Sequence, residues 1–325
     1  MSKHSDDSVN PPDVSIAPSG PDSSWAFSRY EQIRPRLPVM PALAGRAPCE
    51  HQPSLLDLFE HFDAFVLDGF GVLNVGEAPV DTAAERLDQM RAAGKIIMVI
   101  TNGSTQPAAV TAAKYRGWNL GLADEQVISS RDALEQAMTE YPATMRWGVA
   151  APENARLETL SGQTIRLTDD EASWQNLDGF VLLSSLEWND ARQTRLHQAL
   201  AEQPRPLLIG NPDLVAPRED RFSLEPGYYG HRAADAAGVP LRLFGKPAPE
   251  VFAMAQARID ASAGRAVPGA RIAMVGDSLH TDVLGAAAFG WRSVLVLSHG
   301  LFRDQPIEPL IEASGIAPDF CVHHT

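Results

Sequence analysis

The chain has 325 residues, with 27 lysines and arginines against 41 aspartates and glutamates, and a formal net charge of −14. This acidic balance argues against a nucleic-acid partner, because neutralising phosphates requires a basic surface. The sequence contains two cysteines, Cys49 and Cys321, so we expect neither a disulfide framework nor a structural zinc cluster. The polar first residues predict no signal peptide, and no apolar run reaches the ~20 residues of a membrane-spanning helix. We therefore expect a cytoplasmic protein without a membrane partner.

The N-terminal part of the chain differs in composition from the rest. Residues 1–24 are rich in serine, aspartate and proline and contain no aromatic residue. Such a segment buries too little apolar surface to offset its ordering entropy, so we predict a disordered tail. Residues 25–54 are punctuated by prolines and predict an irregular arm that packs on the body of the protein.

The first ordered unit begins near residue 55. The apolar run at residues 64–67 predicts a strand that is buried on both faces. Thr82 and Glu85 have the spacing of a capping box at the start of a helix, and the apolar run at residues 96–100 predicts a second strand. Strand, helix and strand within about forty residues indicate a βαβ unit, and hence a parallel sheet.

The same alternation continues along the chain. Further strands are predicted at residues 147–150, 179–183, 207–209, 241–244, 272–275 and 294–297, and a helix is predicted to begin at Pro249. These are too many strands for one sheet with short connections, so we predict two α/β modules. The expected fold is a Rossmann-like core of residues 55–131 and 241–325, with an inserted α/β cap at residues 132–240.

Polar residues lie within two positions of the ends of four predicted strands. They are Asp68, then Thr101, Asn102 and Gly103, then Lys246, and finally Asp277 with Asp282 five residues further on. Because the carboxyl ends of parallel strands meet at one edge of a sheet, we expect these groups to share one crevice. Carboxylates in an oxygen-rich site suit Mg²⁺, a lysine and a hydroxyl could hold a phosphate, and one carboxylate could be a nucleophile.

Four segments, in this order, resemble the motifs of the haloacid dehalogenase-like (HAD) hydrolases. They are Val66-Leu67-Asp68-Gly69-Phe70-Gly71-Val72-Leu73, Thr101-Asn102-Gly103, Gly245-Lys246-Pro247, and Gly276-Asp277 with Asp282. The gap of about 140 residues between the second and third segments resembles the large cap of class IIA members, the nitrophenylphosphatase and sugar-phosphatase type. Residues 210–213 resemble a loop of that cap, and the resemblance also points to a homodimer formed through the cap.

The resemblance implies a role for each matched residue in the core. Asp68 would attack phosphorus and form an aspartyl-phosphate. Magnesium would be held by the Asp68 carboxylate, the backbone carbonyl of Phe70 and Asp277. Lys246 would neutralise charge on Asp68 and the phosphate, and Asp282 would orient Lys246 or a metal-bound water.

The resemblance also implies how a substrate is held. The Thr101 hydroxyl, with the amide groups of Asn102 and Gly103, would bind the transferring phosphoryl group. Asn211 and Asp213 would face the substrate from the cap.

One position departs from the pattern of the family. HAD phosphatases carry a second aspartate two residues after the nucleophile, where it protonates the leaving group, and this chain has Phe70 there. A positioned general acid is worth ~10²–10⁴ in rate, and a phenyl ring supplies none of it. Three hypotheses follow: the leaving group is acidic, a cap residue such as Asp213 brings the proton, or turnover is very slow.

The predicted function is Mg²⁺-dependent hydrolysis of a small phosphate monoester, such as a sugar phosphate, a nucleotide or an aryl phosphate. One alternative is a non-enzymatic binder or sensor of a phosphorylated metabolite. Another is a carbon–halogen hydrolase, because dehalogenases of this superfamily also carry an aromatic residue at the Phe70 position. Dehalogenases need no Mg²⁺, however, and Asp277 with Asp282 resembles the metal site of the phosphatases.

Overall fold

The computed structural model describes residues 20–42, 49–218, 221–303 and 305–324; residues 1–19 of the predicted disordered tail lie outside these ranges. The helices are α1 (Ser23–Ile33), α2 (Ala83–Ala92), α3 (Ala108–Gly117), α4 (Ser130–Met138), α5 (Asp190–Glu202), α6 (Pro226–Ala237), α7 (Pro249–Ala263), α8 (Leu284–Phe289) and α9 (Glu308–Ser314). The strands are β1 (Glu50–Ser54), β2 (Ala64–Asp68), β3 (Asn74–Val75), β4 (Ala78–Pro79), β5 (Ile96–Thr101), β6 (Val127–Ser129), β7 (Arg146–Ala150), β8 (Gln163–Arg166), β9 (Gly179–Leu182), β10 (Leu207–Ile209), β11 (Val215–Pro217), β12 (Phe222–Leu224), β13 (Arg242–Leu243), β14 (Ile272–Gly276), β15 (Arg292–Val296) and β16 (Phe320–His324). A π-helical turn, Leu279–Val283, leads into α8.

The core sheet is parallel and has the strand order β1-β16-β15-β14-β2-β5-β6. Its strand β2 is buried throughout, with Phe65 and Leu67 packed in one apolar cluster and Val66 in another. Burial on both faces explains why β2 reads as a continuous apolar run rather than an alternating one. Its last residue, Asp68, lies at the carboxyl edge of the sheet.

The second sheet is also parallel and has the strand order β13-β10-β9-β7-β8. Its strands lie in the chain between β6 and β14, and α6 packs against β9 and β10. The predicted fold, a parallel-sheet core with an inserted α/β cap, is therefore confirmed.

One strand belongs to a different sheet from the one expected. Residues 241–244 are predicted as a core strand, but β13 pairs with β10, so that Leu208 faces Arg242 and Ile209 faces Leu243. An apolar run indicates a buried strand without saying which sheet it joins. We accordingly propose that the cap extends to about residue 243, rather than ending at residue 240.

The N-terminal arm is regular, although the sequence predicts an irregular one. Helix α1 begins within the predicted tail, where the Asp22 side chain accepts the N–H of Trp25 at 2.7 Å. Strand β1 pairs with β16 at the edge of the core sheet. The buried residues of α1 are Trp25, Ala26, Tyr30 and Ile33. A buried side chain of this size contributes about 1.5–3 kcal/mol, which favours a docked helix over an irregular arm.

Two local expectations are also wrong. Cys49 and Cys321 form a disulfide, with Cα atoms 5.6 Å apart, because β1 and β16 are neighbours across 272 residues of chain. Cysteine spacing alone does not reveal that adjacency. Thr82 precedes α2 but makes no capping hydrogen bond, since its backbone is helical rather than extended.

Within the described ranges, no helix combines the length and apolar character that crossing a bilayer requires.

Candidate active site

The acidic residues and the lysine of the motifs meet at the carboxyl edge of the core sheet. Lys246 Nζ lies 2.5 Å from Asp68 Oδ1 and 2.7 Å from Asp282 Oδ1, and its side chain is 1% exposed. Asp68, Asp277 and Asp282 each offer one carboxylate oxygen within 4.8 Å of the others. The ends of β2 and β14 and the loop after β13 thus bring three carboxylates and one ammonium group together.

The loop after β14 fixes the acidic pair. Asp282 Oδ2 accepts the backbone N–H groups of Asp277 at 3.2 Å and Ser278 at 3.1 Å, while Asp277 Oδ2 accepts the N–H of Leu301 at 2.9 Å. A Cβ at Gly276 would lie 2.0 Å from Asp282 Cγ, so only glycine fits there. Asp282 therefore closes the loop with one oxygen and pairs with Lys246 through the other.

The loop after β2 approaches the same site closely. Asp68 Oδ1 accepts the N–H of Gly69 at 2.6 Å. Gly71 has a φ of +78°, and a Cβ at this position would lie 2.3 Å from Asp277 Oδ2. A side chain at residue 71 is therefore excluded both by backbone strain and by the acidic pair.

The Asn102 side chain links the core to the cap. Its Nδ2 donates to Asp213 Oδ1 at 2.8 Å and to the Lys246 carbonyl at 3.0 Å, and its Oδ1 accepts the Lys246 N–H at 2.7 Å. The N–H of Gly103 donates to Thr101 Oγ1 at 3.2 Å. The Asn102 side chain thus fixes the position of the second motif relative to the loop that carries Lys246 and to the cap loop.

Asn211 and Asp213 of the cap loop (residues 210–213) line the same cavity as the strand ends, and its volume is about 810 Å³. In this loop Asn211 Oδ1 accepts the N–H of Asp213 at 2.9 Å, and Asn211 Nδ2 donates to Glu225 Oε2 at 3.3 Å. The predicted site residues that line the cavity are Asp68, Phe70, Thr101, Asn102, Gly103, Asn211, Asp213 and Asp277. Lys246 and Asp282 are buried behind the cavity wall, where Lys246 pairs with Asp68 and Asp282 accepts the N–H of Asp277.

Phe70 forms an aromatic contact between core and cap. The Lys114 Nζ and Arg218 Cζ atoms lie 5.9 Å and 5.5 Å from the centre of its ring, distances typical of cation–π contacts. Arg218 comes from the cap and also pairs with Glu225 at 3.1 Å. Sequence reasoning missed both cations, because neither belongs to a motif and neither follows a strand that the sequence predicts: Arg218 comes directly after β11, a strand absent from the sequence-based prediction.

The site holds more carboxylates than its lysine can balance. Burial raises the pKa of Asp68 to about 7, although Lys246 acts in the opposite direction. Burial also raises the pKa of Asp277 well above its ordinary value, and Asp68 adds to this shift. Burial alone would lower the pKa of Lys246, but the Asp282 and Asp68 carboxylates outweigh it and raise that pKa. This donor set fits a divalent cation, which binds carboxylate oxygens and would relieve their repulsion.

One further carboxyl group and one imidazole group have environments that no sequence motif indicates. Burial raises the pKa of Asp213 to about 8, so this carboxyl is largely protonated at neutral pH. His280, which sequence position suggests is a histidine at the rim of the site, is instead fully buried, with Nε2 2.6 Å from Glu31 Oε1. No local pattern could have indicated this contact, because Glu31 belongs to α1.

Two family models match the chain. Residues 65–161 match the haloacid dehalogenase-like hydrolase model, and residues 243–324 match the HAD-hydrolase-like model. Human glycerol-3-phosphate phosphatase is 28% identical over 294 residues, which cover 82% of this chain and 89% of that protein.

Solved structures show the same fold. A possible sugar phosphatase of the HAD superfamily from Cytophaga hutchinsonii superposes with a TM-score of 0.75 at 22% identity, covering 85% of this chain and 98% of the other. A glycerol phosphate phosphatase from Mycobacterium tuberculosis, in complex with magnesium, gives a TM-score of 0.62 at 22% identity, covering 82% and 76%.

A parallel-sheet core with an inserted cap, and acidic groups and a lysine at the strand ends, define a hydrolase of the α/β class. The chain belongs to the haloacid dehalogenase-like hydrolase superfamily, as a class IIA member. The family predicted from the four motifs and the prediction that the chain is a hydrolase are confirmed.

Proposed function

We propose that the protein is a Mg²⁺-dependent phosphatase that hydrolyses a small phosphate monoester through an aspartyl-phosphate at Asp68. The observation that carries this proposal is the placement of Asp68 on the cavity wall, 2.5 Å from the Lys246 ammonium group and next to Asp277. Phosphatase names among the relatives and structural neighbours support the same class of substrate.

The residues that would hold the metal are Asp68, the Phe70 carbonyl, Asp277 and, through a water, Asp282. The fit rests on three clustered carboxylates whose charge one lysine only partly balances. The magnesium complex of the Mycobacterium tuberculosis phosphatase supports the choice of ion. When bound, the cation supplies charge neutralisation and polarises a phosphoryl oxygen.

The first chemical step uses the core residues. The Asp68 carboxylate oxygen forms a bond to phosphorus while the bond from phosphorus to the leaving-group oxygen breaks. Lys246 favours the charged form of Asp68 that attacks and offsets the charge on the phosphoryl oxygens. Thr101, Asn102 and Gly103 line the cavity, and we assign the binding of the phosphoryl group to the Thr101 hydroxyl and the backbone N–H groups of the other two residues.

Asp213 supplies the proton that Phe70 cannot. Its carboxyl lines the cavity, is held by Asn102 at 2.8 Å and has a pKa raised by burial to about 8. At neutral pH the carboxyl donates its proton to the departing oxygen, and the carboxylate that remains accepts a proton from the water that hydrolyses the aspartyl-phosphate. Asp213 ends the cycle protonated, as it began.

A screen of phosphate esters with and without EDTA tests this function. We expect phosphate release from nitrophenyl phosphate and from sugar phosphates in Mg²⁺, and its loss on chelation. Halide release from a haloacid in EDTA would instead indicate a dehalogenase. Ligand-induced thermal stabilisation in Mg²⁺ without any phosphate release would indicate a binding protein.

A further inference from the structure

Helix α1 lies across the seam between the cap and the core. On the cap side, the Trp25 ring lies 5.6 Å from the Tyr228 ring, and the Arg36 side chain that follows α1 lies 3.0 Å from His231 Nδ1. On the core side, the Glu31 carboxylate contacts the buried His280. The cluster of buried residues around Trp25 and Tyr30 includes residues of the cap and of the core. The position of the cap loop relative to the strand ends therefore depends on α1.

Tyr30 is the residue of α1 that reaches the active site. It is 2% exposed, yet it is part of the wall of the cavity that holds Asp68 and Asp213. Its ring stacks on His280, with centres 4.9 Å apart and planes 11° apart. Its hydroxyl oxygen accepts the backbone N–H of Leu214 at 3.1 Å. The ring is thus fixed by the core, while the hydroxyl holds the cap.

The hydrogen bond from Leu214 acts on the peptide unit that follows Asp213. Leu214 is 1% exposed, so its N–H would otherwise be a buried donor in need of another partner. On its other side, the loop packs against the start of α6, where the N–H of Gly227 donates to the Asp213 carbonyl at 3.1 Å. A Cβ at Gly227 would lie 2.1 Å from the Pro212 carbonyl oxygen, so this contact is tight.

We propose that Tyr30 is a positioning residue of the active site, which holds the Asp213 carboxyl where it can protonate the leaving group. This assignment rests on the proposed phosphatase function and adds to it a component from the N-terminal arm. The arm lies outside both segments that match the family models. The proton donor is therefore placed by three elements, namely the cap loop, Asn102 of the core and Tyr30 of α1.

The test replaces the hydroxyl alone. Tyr30→Phe keeps the ring that stacks on His280, so the variant is expected to fold, and thermal unfolding checks this. If the Asp213 carboxyl is less well positioned, hydrolysis of an alkyl phosphate should slow, because its leaving group needs a proton. Hydrolysis of nitrophenyl phosphate should hardly change. We expect kcat on the alkyl ester to fall by about tenfold, with kcat on the aryl ester within about twofold and KM little changed.

Two further variants make the readout specific. Tyr141→Phe removes the same atom from a tyrosine outside the cavity wall and should leave both rates unchanged. Adding Tyr30→Phe to Asp213→Asn should cause no further loss on the alkyl ester, because the group that Tyr30 positions is already absent.

Equal losses on both esters, or losses that multiply in the double variant, would overturn the positioning role and leave the phosphatase function standing. Wild-type protein that releases phosphate from neither ester in Mg²⁺ would overturn the proposed function and the role of Tyr30 with it.

Discussion

The two walls of the cavity are built in different ways. On the core wall, Asp68 ends β2, Thr101 ends β5 and Asp277 follows β14, so each group is placed by the strand that precedes it. On the cap wall, Asp213 comes from a loop of the cap, and its neighbour Tyr30 comes from a helix far away in the chain. The residues proposed for nucleophilic attack are therefore fixed by local structure, whereas the proposed proton donor is fixed by tertiary packing.

Substitution of the proposed nucleophile, which lies on the core wall, should cause the largest loss of activity. In Asp68→Asn, an amide replaces the attacking carboxylate, so kcat on alkyl and aryl phosphates should both fall by about 10⁴-fold or more. Phosphate release at saturating substrate measures this loss. Asp88→Asn, on the exposed surface of α2, is the matched control and should retain wild-type rates. Activity of Asp68→Asn within tenfold of wild type would refute the role of Asp68.

Substitution of the proposed proton donor, which lies on the cap wall, should reduce activity on some substrates more than on others. In Asp213→Asn, the carboxyl proton is lost but the hydrogen-bonding shape is kept, so kcat on an alkyl phosphate should fall by about 10²–10⁴-fold. The loss on nitrophenyl phosphate should be much smaller, because its leaving group is acidic. A comparison of the two esters measures the difference. Equal losses on both would show that Asp213 has a structural role only.

A carboxyl group introduced on the core wall should restore part of the activity that is lost when the carboxyl group on the cap wall is removed. Phe70→Asp, made in the Asp213→Asn background, places an acid two residues after Asp68, and we expect at least about tenfold recovery of kcat on the alkyl ester. In the wild-type background the gain should be smaller, because a donor is already present. An equal gain in both backgrounds would contradict the assignment of the proton to Asp213.

The pH dependence of kcat/KM tests the proposed role of Asp213 on the cap wall. Because Asp213 must be protonated and its pKa is about 8, kcat/KM on an alkyl phosphate should fall about tenfold per pH unit above pH 8. This alkaline limb should be absent in Asp213→Asn, and its persistence there would assign it to another group.

The same raised pKa affects stability. Between its ordinary value of 3.8 and about 8, the Asp213 carboxyl keeps its proton in the folded state and loses it in the unfolded state. Its contribution to the free energy of unfolding therefore decreases as pH rises through this window and is constant above it.

The disulfide ties the N-terminal arm to the core and affects stability rather than catalysis. Cys321→Ser should lower the free energy of unfolding by about 2–4 kcal/mol, because the unfolded chain loses a constraint over a long loop. Urea titration measures the loss, and a reductant should produce it in the wild type but not in the variant. The cavity wall contains neither cysteine, so kcat should be unchanged. Unaltered unfolding midpoints on reduction would contradict this role.

Sequence reasoning succeeded where a residue follows a buried strand. The βαβ unit, the carboxyl-edge location of Asp68, Thr101 and Asp277, and the family could all be predicted, because the relevant constraints lie within a few residues of each motif. Even Asp282, five residues beyond Asp277, is held by the N–H groups of the same loop.

The remainder depends on contacts between distant parts of the chain. The apolar run of β13 does not encode its partner, β10, so the sequence predicts the wrong sheet for this strand. The sequence does not indicate helix α1, because its buried residues pack against the cap and the core rather than against sequence neighbours. It does not indicate the disulfide either, because β1 and β16 are adjacent only in the folded sheet. The contact between Tyr30 and Leu214 and the burial that raises the pKa of Asp213 likewise depend on residues that are distant in sequence.

Acid quenching during turnover, followed by peptide mass analysis, tests most directly whether the Asp68 side chain becomes phosphorylated. With nitrophenyl phosphate and Mg²⁺, the account predicts that the peptide containing Asp68 gains the mass of one phosphoryl group, and that the gain is absent from Asp68→Asn. Rapid phosphate release with this peptide unmodified at every quench time, or with the phosphoryl group on another residue, would contradict it.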